Sequence, residues 1–323
     1  MLEKGINMTK IAFIFPGQGS QQVGMGQEFV QNSEESKAYY DQADKVLQFE
    51  LSKLMLNGPV EELTLTYNAQ PALLTTGVMV AKKLMDAGIQ PDYTAGHSLG
   101  EYGSLVISGA ISFEDAVQIV HKRGLYMNEA VPAGQGAMAA ILGLAAEPLK
   151  EVCDKITSEG DPVQLANLNC PGQIVISGTK DGVEKACVAA KEAGAKRAIP
   201  LVVSGPFHSE LMRGASEKLG EELKNVQLTD PQIPVVGNVW AQELKDVSSI
   251  QHELVEQVYS PVQWENSVKY MIEQGVSIFI ECGPGKVLSG LVKKIDRSVK
   301  TYCVYDEASF NEVVEAIGGE LIG

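Results

Sequence analysis

The most restrictive feature of the sequence is an uninterrupted apolar run, Ile11–Phe15, which ends at Pro16-Gly17. A strand that is apolar at every position has both faces covered, which is typical of a parallel sheet between helices. Strand and helix patterns then alternate, because Tyr93–Ala95 predicts a short strand while Pro71–Met85 and Glu101–Ile107 predict helices. We therefore expect an α/β fold built on a parallel sheet.

The pattern changes in the middle third of the chain and later returns. Six segments there predict the order strand, helix, strand, strand, helix, strand, which is the ferredoxin-like split unit. They are Gly136–Leu144, Glu147–Ser158, Val163–Leu168, Gln173–Ser177, Asp181–Ala193 and Lys196–Val202. The α/β pattern resumes in Ser209–Leu223 (helix), Pro234–Val239 (strand), Pro261–Gln274 (helix) and Ser277–Glu281 (strand). We expect a large α/β-hydrolase-like domain of residues 1–133 and 204–323, with a small ferredoxin-like (βαββαβ) subdomain inserted at residues 134–203.

A glycine-flanked serine follows the short strand. The motif Gly96-His97-Ser98-Leu99-Gly100 lies between a strand pattern and a helix pattern. This position fits a nucleophile elbow, in which glycine on both sides lets the backbone approach closely. The serine then lies at a helix N-terminus, whose dipole favours a developing oxyanion. The motif alone is weak, and a plain glycine-flanked turn is the alternative.

A serine nucleophile needs a general base, which is normally a histidine. Of the four histidines, His208 lies where the inserted segment returns to the large domain, and clefts between domains are where sites form. His97 adjoins Ser98, but neighbouring side chains on an elbow point in different directions. His121 lies in a helical pattern, and His252 lies in a polar loop or at a helix start. On the residues alone, a packed or solvent-facing histidine remains the alternative for His208.

The loop after the first strand, Pro16–Gln21, reads PGQGSQ. A strand, glycines and a helix in that order also suit a phosphate loop, so a nucleotide-binding module is an alternative. The spacing argues against it, because the third glycine of G-x-G-x-x-G would fall on Gln22 and no Gly-Lys-Ser/Thr is present. The loop is better suited to supply a backbone N–H to an oxyanion hole.

Two cationic residues have ordinary explanations on the residues alone. Arg123 lies on a predicted helix that is capped by Ser112 and runs to about Met127, and an arginine there commonly lies on a solvated face. Lys286 follows Gly283-Pro284-Gly285, which could suggest phosphate binding but is more often a structural turn.

Composition argues against several classes of function. The five cysteines are scattered and never form C-x-x-C, and no histidine lies in metal-ligand spacing, so we expect neither a disulfide framework nor a metal site. The formal net charge is −15 and no long basic stripe exists, so we expect no nucleic-acid partner. No apolar run approaches the roughly 18 residues that span a bilayer. Met1–Lys10 lacks the apolar core of a signal peptide, so we expect a cytoplasmic protein that does not bind membranes.

Taken together, these motifs resemble those of the malonyl-CoA:acyl carrier protein transacylases of type II fatty acid synthesis. The resemblance covers essentially the whole chain from about Thr9, and it is specific because many blocks occur in order. The blocks are Pro16–Gln21, Gln70–Leu73, Gly96–Tyr102, Arg123-Gly124, Gly134–Ala140, Pro206–Ser209, Tyr259–Trp264 and Gly283–Leu288. Only the segment before Thr9 has no counterpart.

The resemblance implies two catalytic residues and three residues that assist them. Ser98 would be acylated and His208 would be its general base. The backbone carbonyl of Gln257 would orient the imidazole in place of an acidic residue, since a neutral carbonyl can also fix the tautomer. Backbone N–H groups of Gln18 and Leu99 would form the oxyanion hole.

The resemblance also implies how the acyl group is chosen. Arg123 would bind the free malonyl carboxylate, because a planar guanidinium pairs bidentately with a carboxylate. Acetyl would leave that buried guanidinium unpaired and would be disfavoured. Asn238 would line the pocket near the serine, and Phe207 matches the form that accompanies malonyl selectivity in related polyketide acyltransferases.

The implied reaction is ping-pong transfer of a malonyl group from malonyl-CoA, through an ester on Ser98, to the phosphopantetheine thiol of holo acyl carrier protein. It would need no cofactor and would supply the extender unit for fatty acid biosynthesis. A trans-acting acyltransferase of a polyketide synthase and a serine thioesterase are the alternatives. Because acyl carrier proteins are acidic, as this chain is, we expect a local basic patch near the site mouth. The candidates are Lys196, Arg197, Lys286, Lys293, Lys294 and Arg297.

Overall fold

The computed structural model describes residues 9–322 of the chain. Its strands are β1 (Lys10–Phe15), β2 (Tyr93–Gly96), β3 (Gly136–Leu142), β4 (Val163–Cys170), β5 (Gln173–Thr179), β6 (Arg197–Pro200), β7 (Val235–Val236), β8 (Glu243–Leu244), β9 (Val276–Cys282) and β10 (Lys300–Val304). Its first seven helices are α1 (Gln27–Asn32), α2 (Glu34–Leu47), α3 (Leu51–Asn57), α4 (Val60–Leu63), α5 (Thr66–Asp86), α6 (Gly100–Ile107) and α7 (Phe113–Glu129). The others are α8 (Ala146–Ser158), α9 (Lys180–Glu192), α10 (Arg213–Leu223), α11 (Val247–Gln257), α12 (Trp264–Glu273), α13 (Val287–Ile295) and α14 (Glu307–Ile322).

The larger sheet has the strand order β10-β9-β1-β2-β7-β8. Every neighbouring pair in it is parallel except β7 with β8. In β1 the residues of Ile11–Phe15 are at most 2% exposed and alternate between two cores. Ala12 and Ile14 pack in the core that includes α12 and α13, whereas the other three pack with α5, α6 and α7. The predicted parallel sheet with both faces covered is therefore confirmed.

The smaller sheet has the strand order β4-β5-β3-β6 and is antiparallel throughout. Together with α8 and α9 it forms the predicted β-α-β-β-α-β unit, so the fold class is confirmed. The strands of this sheet lie within the predicted insertion, residues 134–203. The domain boundaries themselves stay a prediction.

The smaller sheet is hydrogen-bonded to the rest of the chain through its edge strand, β4. The N–H of Leu168 donates to the carbonyl of Val262 at 2.9 Å, and the N–H of Val262 donates to the carbonyl of Ala166 at 2.8 Å. These bonds hold the chain extended at Val262, so the predicted helix over Pro261–Gln274 begins only at Trp264.

Two other predicted strands are shorter than expected. The strand over Pro234–Val239 is limited to β7, because the N–H groups of Asn238 and Val239 donate to buried carboxylates instead of to a neighbouring strand. The strand over Lys196–Val202 ends at Pro200, beyond which the chain lines a cavity that is described below.

Helix boundaries also differ from the predictions. Helix α5 begins at Thr66, five residues before Pro71, which lies inside it. A proline has no N–H to donate to the carbonyl four residues earlier. That carbonyl, on Tyr67, instead accepts a hydrogen bond of 2.8 Å from Nδ1 of His121.

Ser112 caps α7 as predicted. The predicted helix over Ser209–Leu223 is split into a 3₁₀ turn, Glu210–Met212, and α10.

Several elements were not predicted. They are α1 to α4, α11, α13, α14, β8 and β10. Within residues 9–322, no helix combines the length and the hydropathy needed to cross a bilayer. Residues 1–8, on which the expected cytoplasmic location mainly depends, lie outside the described residues.

Candidate active site

Ser98 lies on a sharp turn between β2 and α6, and its φ of 53° is in the left-handed region. Both flanking glycines are required by close backbone contacts. A Cβ on Gly96 would lie 1.9 Å from the backbone of Gly100, and a Cβ on Gly100 would lie 2.2 Å from the carbonyl oxygen of Phe15. The local geometry is that of a nucleophile elbow.

Ser98 and His208 are hydrogen-bonded although they are far apart in sequence. Ser98 Oγ lies 2.7 Å from His208 Nε2, and His208 Nδ1 lies 2.8 Å from the carbonyl oxygen of Gln257. A carbonyl can only accept, so Nδ1 carries the proton and Nε2 is free to accept from the serine. Burial, and then the charge of Arg123, lower the pKa of His208 from 6.5 to about 3. The imidazole is therefore neutral at neutral pH, with the lone pair of Nε2 available to accept a proton.

The backbone at His208 is also in the left-handed region, with a φ of 57°. Gln164 on β4 spans this turn with both ends of its amide. Its Nε2 donates to the carbonyls of His208 at 3.2 Å and Tyr259 at 3.4 Å, and its Oε1 accepts from the N–H of Glu210 at 2.9 Å. The smaller sheet thus contributes directly to the position of the imidazole.

Arg123 is buried beside the serine, with only 1% of its surface exposed. Nη2 donates to Ser98 Oγ at 3.2 Å and to Gln257 Oε1 at 2.9 Å, while Nη1 donates to Gln70 Oε1 at 2.8 Å. Among the described residues, Nε has no hydrogen-bond partner and no carboxylate forms an ion pair with the guanidinium. A buried cation with a spare donor is suited to bind an anionic group from outside.

Asn238 and Gln257 hold the elbow from behind. The Asn238 side chain accepts from the N–H of Ser98 at 2.8 Å and donates to the carbonyl of Gly96 at 2.7 Å. The Gln257 amide donates to the Ser98 carbonyl at 2.8 Å and to Asn238 Oδ1 at 3.1 Å. Asn238 is fully buried, and its contacts are those of a residue that fixes the elbow backbone. Its expected contact with substrate stays a prediction.

The two residues expected to form an oxyanion hole, Gln18 and Leu99, both line the cavity that contains Ser98. Within residues 9–322, neither of their backbone N–H groups has an acceptor. The Gln18 side chain donates to Thr66 Oγ1 at 3.1 Å, which ties its loop to the start of α5. Two uncommitted N–H groups beside a serine can stabilise a negative oxygen.

The cavity has a volume of about 200 Å³ and lies between the two sheets. Its polar lining includes Ser98, His208 and Arg123. Its apolar lining comes from both parts of the chain and comprises Leu99, Met127, Met138, Leu201, Val202, Val203 and Phe207. Val202 is fully exposed, so the segment 201–203 forms part of the rim. A small chamber with one buried cation suits a short acyl group that carries an anionic end.

The other histidines are not hydrogen-bonded to Ser98, His208 or Arg123, although His97 lines the cavity. His97 Nε2 lies 2.8 Å from Asn169 Oδ1, and its ring packs against Trp264. His121 supports α5, and His252 is exposed on α11. Lys286 is exposed and lies over the ring of Tyr305. In the described part of the chain, no group of His, Cys, Asp or Glu side chains is arranged to hold a metal ion.

Sequence reasoning missed three glutamine contacts and one pair of acids. Gln70 lies in a block quoted for the resemblance, but nothing in that block indicated a bond to Arg123. Gln164 gave no signal because polar residues on a predicted strand usually face solvent, and no element was predicted around Gln257. A buried pair, Glu101 and Glu253, is described below.

Known proteins resemble this chain over nearly its whole length. A family model described as the acyl transferase domain matches residues 12–314. The malonyl CoA-acyl carrier protein transacylase of Bacillus subtilis is 58% identical, over 97% of this chain and 99% of that protein. The crystal structure of the malonyl CoA-acyl carrier protein transacylase from Clostridium perfringens has a TM-score of 0.94 and 41% identity, covering 97% of this chain and 99% of that one. A malonyl-transacylase solved in complex with a type II PKS acyl-carrier protein has a TM-score of 0.93 and 42% identity, covering 95% of this chain and all of that one.

Proposed function

The chain belongs to the acyl transferase family, among the malonyl CoA-acyl carrier protein transacylases, and from this premise we propose that Ser98 is the residue that carries the malonyl group. The protein is an acyltransferase that moves malonyl from malonyl-CoA to acyl carrier protein. The observation that carries the proposed role is the position of Ser98 Oγ, 2.7 Å from His208 Nε2 and 3.2 Å from Arg123 Nη2. A basic nitrogen and a buried cation thus meet at one hydroxyl.

The first half-reaction loads the serine. His208 Nε2 accepts the Ser98 proton while Oγ attacks the thioester carbonyl of malonyl-CoA, and the resulting oxyanion lies against the N–H groups of Gln18 and Leu99. The tetrahedral intermediate collapses, the carbon–sulfur bond breaks, and the sulfur of CoA leaves with the proton from His208. The product is a malonyl ester on Ser98.

The second half-reaction reverses these roles. The phosphopantetheine thiol of the carrier gives its proton to His208 and attacks the ester carbonyl. The carbon–oxygen bond breaks, Ser98 takes the proton back, and malonyl leaves as a new thioester. One thioester is exchanged for another, so the overall reaction needs no external energy source and, we propose, no cofactor.

Arg123 is proposed to bind the malonyl carboxylate through its spare Nε donor and an Nη donor. In a dry pocket such a charge-assisted pair is stronger than an exposed one. The pair also acts on the base, since the charge of Arg123 is one cause of the low pKa of His208. A bound carboxylate offsets that charge, so a malonyl substrate makes His208 a stronger base than an acetyl substrate would.

The orienting group of His208 is a backbone carbonyl, not a carboxylate. A carbonyl fixes the tautomer but stabilises the imidazolium less than a carboxylate would. We also propose that the protein is cytoplasmic.

Intact-protein mass spectrometry tests the proposal. The protein is incubated briefly with malonyl-CoA and then with holo acyl carrier protein. We expect a malonyl adduct that maps to Ser98 and passes to the carrier, and no adduct on Ser98→Ala. An adduct lost to water at the same rate without carrier would instead indicate a thioesterase. Loading of Ser98→Ala at the parent's level would refute the role of Ser98.

A further inference from the structure

Two carboxyl groups lie directly behind the elbow and take no part in the steps above. Glu101 in the first turn of α6 and Glu253 on α11 are 0% and 1% exposed. Glu101 Oε2 accepts the N–H of Asn238 at 2.8 Å, and Glu253 Oε1 accepts the N–H of Val239 at 2.9 Å. The two side chains therefore bind consecutive backbone groups of one short segment.

The remaining oxygens of the two carboxyls are left without a donor. Glu101 Oε1 and Glu253 Oε2 are both fully buried, and among the described residues neither has a partner that can donate to it. The two carboxyl groups are close enough for each to act on the ionisation of the other. Carboxylate oxygens only accept, so a hydrogen bond between these two carboxyls needs one proton shared between them.

The segment that the acids hold is the one that positions the nucleophile. The side chain of Asn238 accepts from the N–H of Ser98 at 2.8 Å and donates to the carbonyl of Gly96 at 2.7 Å. The backbone is also packed tightly here, because a Cβ on Gly237 would lie 2.9 Å from the carboxyl carbon of Glu253. A shift of either acid would move Asn238 and thereby the elbow.

We infer that Glu101 and Glu253 share one proton and act as a positioning pair, which fixes Asn238 and through it the backbone of Ser98. The inference rests on the proposed role of Ser98. Each acid uses one oxygen to hold the segment and the other to bind its partner. The pair touches no substrate and is separate from the proton transfer between Ser98 and His208.

The surroundings keep the proton in place. Burial, and then the charge of Glu253, raise the pKa of Glu101 well above its ordinary value. The other ionisable groups that face the pair are Arg123 on α7, Tyr102 on α6 and Glu256 on α11. Arg123 remains charged and Tyr102 remains neutral near pH 7, so one negative charge on the pair faces one positive charge. Loss of the shared proton at high pH would add a second buried negative charge.

Glutamine variants separate proton sharing from a merely structural role. The outer atom of each side chain must remain an oxygen, because it accepts a backbone N–H. In Glu101→Gln or Glu253→Gln the inner atom is an NH₂ group that donates to the remaining carboxylate without any proton. In the double variant both inner atoms are NH₂ groups, and two donors face each other.

The experiment measures single-turnover loading by malonyl-CoA from pH 6.5 to 9.5, because this half-reaction omits the carrier thiol, which titrates in the same range. We expect the parent to lose loading rate at the alkaline end and each single variant to lose less. If the two substitutions acted independently, their fold-reductions in loading rate would multiply. We expect the double variant to load about tenfold more slowly than that product predicts, with an unchanged half-saturating malonyl-CoA concentration. Glu273→Gln, which removes an exposed carboxylate on α12, is the control.

Thermal unfolding shows whether each variant is folded, and if the double variant is not, the pH profiles of the single variants decide. The inference would be overturned if the reduction in loading rate of a folded double variant equalled the product of the two single reductions. It would also be overturned if the single variants lost loading rate at high pH as the parent does. Loading of Ser98→Ala would overturn the proposed function itself, so the two failures are distinguishable.

Discussion

Ser98 and His208 both have backbone angles that non-glycine residues seldom adopt, with φ of 53° and 57°. Such conformations persist only where the surroundings hold them. Here each is held by the amide of another side chain, Asn238 for the serine and Gln164 for the histidine. These two residues are also the two that are proposed to exchange a proton, and their side chains lie 2.7 Å apart.

The first prediction concerns Arg123. Arg123→Ala is expected to lower the rate of malonyl loading by about 100-fold or more, because a buried charge-assisted contact is lost. Acetyl loading should fall much less, since acetyl makes no such contact. Parallel loading assays with malonyl-CoA and acetyl-CoA give the ratio. Arg213→Ala, which removes an exposed arginine, serves as the control. If Arg123→Ala lowered the rates of malonyl and acetyl loading equally, Arg123 would have no role in acyl-group specificity.

The second prediction concerns the pH dependence of loading. The pKa of His208 is lowered from 6.5 to about 3, so the folded protein binds fewer protons than the unfolded chain between these values. The stability contributed by the neutral imidazole is therefore present above pH 6.5 and is lost as the pH falls toward 3. We expect the loading rate to stay level from pH 8 to about 5.5, where an unperturbed histidine would be about 90% protonated. A tenfold fall over that range would contradict a buried, neutral His208.

The residues of the proposed dyad could be predicted from the sequence, but their supports could not. Ser98 has a local motif, and His208 and Arg123 were singled out with the help of the family resemblance. Gln164 lies 44 positions from His208, and no local pattern marks a contact of that kind. Such contacts depend on how the two sheets meet.

At the scale of elements, β4 matters most for the site. It is an edge strand of the smaller sheet, yet it pairs with the chain at Val262 and supplies Gln164 to the turn that carries His208. The order of elements in this sheet was predictable from alternating patterns. The attachment of this sheet to the rest of the chain was not predictable. Pro261–Gln274 has a helical composition, but the hydrogen bonds to β4 keep the first residues of this segment out of the helix.

The third prediction tests this attachment. Gln164→Met keeps the side-chain length but removes both ends of the amide, so the carbonyl of His208 loses a donor and the N–H of Glu210 loses an acceptor. An unsatisfied buried group costs about 1–3 kcal/mol, so we expect loading to slow by about tenfold or more. The half-saturating malonyl-CoA concentration should not change, because Gln164 does not line the cavity.

The matched control is Gln173→Met on the neighbouring strand β5, where the glutamine contacts Cys170 and not the histidine turn. Single-turnover loading and thermal unfolding are measured for both variants. If Gln173→Met slowed loading as much as Gln164→Met, the effect would belong to the smaller sheet in general and not to the position of His208.

At the scale of the molecule, a protein of net charge −15 has to dock a carrier that the family resemblance implies is also acidic. Part of the predicted basic patch gathers at the junction of the two sheets. The turns at Gly143 and Gly172 are joined by a hydrogen bond of 2.9 Å from the N–H of Gly143 to the carbonyl of Gly172. The N–H of Lys196 donates to the carbonyl of Leu142, so Lys196 lies beside the turn at Gly143. Helix α13 packs on β4, and the charge of Lys294 acts on the thiol of Cys170 in the same hairpin. Lys196 and Lys294 therefore flank one hairpin.

A second part of the patch adjoins the mouth of the cavity. Lys286 directly precedes α13, and Gly285 before it lies against Ser20. The residues on either side of Ser20, Gly19 and Gln21, line the cavity. Cations placed near a site mouth speed docking of an acidic partner more than they tighten the final complex, and salt screens the effect. The patch as a carrier surface stays a prediction.

The fourth prediction reverses these charges. Lys196→Glu, Lys286→Glu and Lys294→Glu are each expected to raise the apparent KM for holo acyl carrier protein several-fold at low salt, because encounter with an acidic partner slows. Loading by malonyl-CoA should stay at the parent's rate, and added salt should narrow the difference. The control is Lys45→Glu, which makes the same change in charge on α2. This helix packs on α3, α5 and α7, away from the lysines above. If Lys45→Glu raised KM equally, net charge alone would govern docking, and if loading fell together with transfer, these lysines would serve the chemistry and not the carrier.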